Sequence, residues 1–80
     1  MRINREEINA KKNFINRHTD YMLITEESFD KIYLYKDYGF EGKNCIFVGN
    51  LSEYNNYLNR LLRKHFLVEE WKEEKKRLVY

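Results

Sequence analysis

Two hydrophobic periods alternate along the chain, and their order predicts its elements. Over residues 4–17, Ile8, Lys11, Lys12 and Ile15 share one face at helical spacing, with Phe14 beside it. Asn4 suits an N-cap, and Glu6 and Glu7 fall in the first turn, where the helix dipole favours acids. The apolar stripe is thin, so this helix is expected to pack by one edge and stay mostly wet. His18-Thr19-Asp20 ends it, with His18 at the end where the dipole favours a base.

Tyr21 to Thr25 is apolar on both faces, which predicts a strand in the centre of a sheet. Residues 26–38 read two ways. Ile32-Tyr33-Leu34-Tyr35 suits a strand, whereas Thr25 could cap a helix carrying Phe29, Ile32 and Tyr33 and ended by Gly39. High β propensity and the Gly-containing connection from Gly39 to Asn44 favour the strand. Cys45-Ile46-Phe47-Val48 is then the third strand, closed by Gly49-Asn50.

A long helix is expected from Ser52, its N-cap, with Glu53 in the first turn and Tyr54, Leu58, Leu61, Leu62 and His65 turned inward. Leu67 and Trp71 form an i,i+4 pair, and Glu69–Lys72, Glu73–Lys76 and Glu74–Arg77 support a solvated extension. The stripe drifts near Phe66-Leu67-Val68, where a kink or a break into two helices is the alternative. The expected fold class is therefore α+β: an N-terminal helix, a two- or three-stranded antiparallel sheet and a long C-terminal helix, both helices on one face. Double-stranded RNA-binding domains share this order. Their last helix opens with a Lys-rich signature, but here the same place reads Ser52-Glu53-Tyr54-Asn55-Asn56, and the similarity stops there.

Composition narrows the class. Eighty residues, 1–80, make one domain, and 42% apolar with 16% aromatic residues describes a packed one. No apolar run approaches the roughly eighteen residues of a membrane span, and the N-terminus lacks the apolar core of a signal peptide. The single cysteine, Cys45, excludes an intrachain disulfide, so a soluble, cytoplasmic protein is the expectation. Proline is absent, and Asn, Lys, Ile and Tyr, all with AT-rich codons, are abundant, which hints at a bacterial, phage or plasmid genome.

Charge is uneven. Five bases against two acids leave residues 1–18 at +3, three against six leave 19–51 at −3, and seven against five leave 52–80 at +2. The ends are expected to dock across the acidic middle and neutralise it; the alternative is a basic face made from both ends.

Chemistry is scarce. Cys45 sits in an apolar run without a partner base and reads as a core residue. His18 and His65 lack ligands at zinc spacing, and His65 reads as a satisfied, half-buried side chain. Glu26, Glu27 and Asp30 read as solvated rather than as a metal or acid–base set. Gly39, Gly42 and Gly49 are too scattered for a phosphate loop. No enzyme activity, cofactor or metal is therefore expected.

What remains is surface. Asn56, Arg60, Arg63 and Lys64 fall on one outward helical face bordered by Tyr57. Seven Tyr, five Phe and one Trp exceed what so small a core needs, so some must be exposed. The expected function is a small protein-binding module using Tyr33, Tyr35, Phe40, Tyr57, Arg60, Arg63, Lys64 and Trp71. Its concrete form is a phage or mobile-element protein that binds and inhibits a host enzyme such as a CRISPR defence nuclease. The alternative is a nucleic-acid-binding domain using the basic helix face. Leu67, Trp71, Leu78, Val79 and Tyr80 are many apolar residues for a polar helical tail, and they predict a homodimer or another protein contact.

Overall fold

Asn4 caps the first helix as expected, its side chain accepting from the backbone N–H groups of Glu6 and Glu7. The computed structural model describes residues 4–78. Its elements run α1 (Arg5–His18), β1 (Leu23–Ser28), β2 (Lys31–Asp37), a short 3-10 turn (Gly39–Glu41), β3 (Lys43–Gly49), α2 (Leu51–Lys64) and α3 (Val68–Arg77). The class is α+β, with a three-stranded antiparallel sheet in the order β1-β2-β3.

Ile32 and Leu34 point inward from β2 and Leu23 from β1, and these meet Ile8, Phe14 and Ile15 of α1 and Tyr54, Leu58, Leu61 and Leu62 of α2 in one cluster. The helices therefore cover one face of the sheet. α3 packs against α1 and α2 and adds Trp71, whose ring centroid lies 5.5 Å from that of Phe14. α1 is less wet than its thin stripe suggests, because it meets α2, α3 and β1 and buries Lys11 along with its apolar face. Asn16 ties α1 to the sheet: its side chain accepts from the Leu23 N–H (2.8 Å) and donates to the Leu23 carbonyl (3.2 Å).

Several sequence expectations need correction. The strand expected at Tyr21–Thr25 starts two residues later and lies on the sheet's edge; β2 is the central strand. The C-terminal helix is not long but divided, into fourteen and ten residues. α2 ends in a Schellman-type turn, where the Leu67 N–H donates to the Leu62 carbonyl and the Phe66 N–H to the Arg63 carbonyl. Phe66 holds the left-handed position, φ 56°, where glycine is usual, and the break falls where the drifting apolar stripe near Phe66-Leu67-Val68 offered it as the alternative to one long helix. The N-cap of α2 is Asn50 rather than Ser52, and it forms a reciprocal capping box with Glu53.

Trp71 and Leu67 are buried in the chain's own core, which removes the basis for a dimer built on them. Leu78 is half-buried against the same core; Val79 and Tyr80 lie outside the described residues. The charged ends mainly pair with each other, Arg17 with Glu74 and Lys75 with Glu7, and among the described residues only Arg5 of the ends reaches a middle acid, Glu27.

Candidate functional site

The uncovered face of the sheet follows from strand alternation. With Ile32 and Leu34 inward, Lys31, Tyr33, Tyr35 and Asp37 of β2 point outward. The register sets Ile24 against Tyr35 and Glu26 against Tyr33 on β1, and Val48 against Tyr33 and Cys45 against Tyr35 on β3. Ile24, Val48 and Cys45 are exposed, while Tyr33 and Tyr35 are half-buried by their neighbours.

Cys45 is a correction: it faces solvent, not the core. A bulge in β3 opposite Leu34 and Tyr35 inserts Ile46 as an extra residue, so Cys45 and Phe47, which strict alternation would place together, fall on opposite faces. The Cys45 thiol donates to the Phe47 carbonyl across this bulge at 3.4 Å.

A clasp lies across this face. Lys43 of β3 reaches over the Tyr35 ring, 4.5 Å from its centroid, to pair with Glu26 of β1 at 2.5 Å. The bond to Glu26 holds the Lys43 ammonium above its ordinary pKa. Two bases, Lys31 and Lys43, and two acids, Glu26 and Asp37, leave the face electrically neutral.

Exposed aromatics continue at the sheet's ends. Tyr38 and Phe40 stand in the β2–β3 connection, near Met22, whose carbonyl accepts from the Asp37 N–H. Phe29 occupies the β1–β2 hairpin tip and is 98% exposed. Both residues of that two-residue tip, Phe29 and Asp30, have positive φ, 51° and 66°. This is the backbone of a type I′ turn, normally made by Asn-Gly, and it carries a bulky ring into water as well.

The basic helix residues divide between two places. Arg60 and Lys64 flank Tyr57, whose ring stacks on Phe47 at 5.1 Å, and the Lys64 ammonium reaches the Tyr21 hydroxyl at 3.5 Å. Lys36 sits over the other side of this cluster, 4.3 Å from the Tyr21 ring. Burial raises the Tyr57 phenol above its ordinary range, while Lys64 and Arg60 oppose the shift. Arg63 turns instead towards α3, lining a groove with Lys11, Lys72, Lys75 and Trp71. His65 packs edge-on against Tyr21, but its Nε2 is buried without a hydrogen-bond partner, contrary to the satisfied histidine expected.

Of the residues expected to bind a partner, the structure places Tyr33 and Tyr35 together on the sheet face and Phe40 at its end. Tyr57, Arg60 and Lys64 form a second cluster, and Trp71, at 6% exposure, is a core residue. Met22, Ile24, Phe29, Val48 and Phe66 are exposed apolar residues that the sequence reading missed. Among the described residues no three His, Cys, Asp or Glu side chains gather as a metal site, and no helix is long and apolar enough to cross a membrane. Glu26 and Glu27 point to opposite faces of β1, each paired to a different base. No protein-family model matches the chain, and no curated protein or solved structure shows significant similarity to it.

Proposed function

We propose that the chain is a small non-catalytic module that presents the outer face of its sheet to a partner protein. One observation carries this reading. All three helices lie on one side, and the other side leaves Ile24, Cys45 and Val48 exposed beside the half-buried Tyr33 and Tyr35, with no helix over them. Contiguous apolar and aromatic surface of this kind is disfavoured in water unless something covers it. Electrical neutrality of the face favours a protein over a phosphate backbone as the occupant. The narrower reading, an inhibitor of a host defence enzyme such as a CRISPR nuclease, rests on size and composition alone.

A second reading has its own observation. Arg60, Lys64 and Lys36 surround Tyr21 and Tyr57 without an ion-paired acid among the described residues, an arrangement suited to phosphates and stacked bases. Capture from a bacterial lysate, identification of the bound protein and rebinding of it in purified form separate the two. Capture should survive nuclease treatment, fail for Tyr33→Glu combined with Val48→Asp, and persist for Arg60→Glu combined with Lys64→Glu. The reverse result, with binding lost to nuclease and with a log–log salt slope that falls by about one unit per lost contact, would establish the nucleic-acid reading instead.

A further inference from the structure

The groove between α1, α2 and α3 has an unusual charge balance. Lys11 lies in it at 4% exposure, yet among the described residues it has no carboxylate partner. Its ammonium donates instead to two neutral oxygens, Asn55 Oδ1 at 2.7 Å and Asn59 Oδ1 at 2.6 Å. Buried ammonium groups are normally paired with an anion, because desolvating an unpaired charge is expensive. Four cations line the groove, Lys11, Arg63, Lys72 and Lys75, against one acid, Glu7. Glu7 is taken by Lys75 at 3.1 Å, and Lys72 reaches Glu69 at 3.5 Å, while Arg63 has no ion pair among the described residues. With one hydrogen bond already accepted by each oxygen from Lys11, the amide nitrogens of the two asparagines are free to donate. Apart from Glu7, which Lys75 engages, the groove thus sets donors against an apolar wall formed by Trp71, Leu62 and Val68.

We propose that this groove is a binding site for a small phosphoryl dianion, either free phosphate or a small-molecule phosphomonoester. The dianion completes the charge balance that Lys11 and Arg63 leave open, and the guanidinium of Arg63 suits two oxygens of one phosphate. Burial lowers the Lys11 pKa, and the charge of Lys75 adds to that push while Glu7 opposes it. An arriving dianion reverses the cost. The site lies in the helical layer, away from the outer sheet face, and does not depend on the protein-binding reading.

Trp71, the only tryptophan in the chain, lines the groove and reports on it by fluorescence. Titration with inorganic phosphate should give a saturable change, and phosphate should raise the melting temperature. Phenyl phosphate should compete if the site admits monoesters. In Lys11→Met and in Arg63→Gln the apparent affinity should drop at least about tenfold. Arg63 is exposed, so Arg63→Gln decides the matter if Lys11→Met fails to fold. A non-saturating response, the same response to sodium chloride at matched ionic strength, or undiminished binding in Arg63→Gln would overturn the proposal. Preference for an oligonucleotide over free phosphate would overturn it too, since that would make the groove part of a nucleic-acid surface.

Discussion

At the scale of single residues, the chain keeps side chains where simple stability would choose others. Phe66 holds the left-handed position that closes α2 and is 88% exposed, and Phe29 does the same at the hairpin tip. A residue with a Cβ pays about 1–2 kcal/mol in that conformation. Phe66→Gly should therefore stabilise the fold by about 1 kcal/mol, read from the urea midpoint at unchanged slope. Destabilisation would mean that the Phe66 ring contributes packing the structure does not show. Buried polar groups tell a related story. The Tyr54 hydroxyl is buried without a good partner, and burial raises its pKa well above the ordinary tyrosine value. A phenol with a raised folded-state pKa contributes stability that is complete below the unfolded value of about 10 and lost as pH rises above it. Lys11 has the opposite sign. Its lowered pKa means that its contribution is complete above about 10.5 and lost as pH falls through the folded value. Urea unfolding between pH 8 and 11 should thus show Tyr54→Phe weakening the alkaline loss and Lys11→Met removing an opposing gain. An alkaline slope unchanged in Tyr54→Phe would assign the loss to other groups.

At the scale of elements, legibility followed how local the signal was. α1 could be read because Asn4, Glu6 and Glu7 mark its start and Ile8, Phe14 and Ile15 its buried face. β2 could be read because Ile32-Tyr33-Leu34-Tyr35 alternates cleanly, inward aliphatic and outward tyrosine. Where the chain turns on a residue that does not announce a turn, reading failed. Phe29-Asp30 hides the first hairpin, and at the end of α2 only the drift of the apolar stripe near Phe66, not a turn residue, marks the break. Cys45 was misplaced because a bulge shifts the alternation by one residue, and no local signal marks it. The candidate site was legible in part for the same reason. Tyr33 and Tyr35 followed from alternation, whereas Ile24 and Val48 needed the strand order, which is a tertiary property. The start of α2 offers a direct check, since two residues could have served as cap. Asn50→Ala should cost about 1 kcal/mol, because it removes an acceptor for the Glu53 N–H, and Ser52→Ala should change stability by less than about 0.5 kcal/mol. The opposite ranking would return the cap to Ser52.

At the scale of the whole molecule, one strand separates the two faces that matter. Leu34 and Tyr33 are adjacent on β2, yet Leu34 is sealed beneath the helices and Tyr33 looks outward past Val48. The stability of a chain this size is about 4–12 kcal/mol, so a core truncation consumes a large part of it. Leu34→Ala should cost about 2–5 kcal/mol by the transfer and cavity terms. Trp71→Ala should be at least as damaging, about 3–5 kcal/mol, because the ring fills the junction of α1 and α3 against Phe14. Val48→Asp, on the outer face of an edge strand, should cost about 1 kcal/mol or less. Sedimentation links these stabilities to assembly. With Trp71 and Leu67 committed to the core, the sheet face is the surface on which self-association is expected, so Val48→Asp should dissociate it while leaving the monomer folded. Trp71→Ala should destabilise the monomer rather than release it. A dimer that survives Val48→Asp but dissociates into folded monomers in Trp71→Ala would place the contact on the helical side and withdraw the outer sheet face as the binding surface.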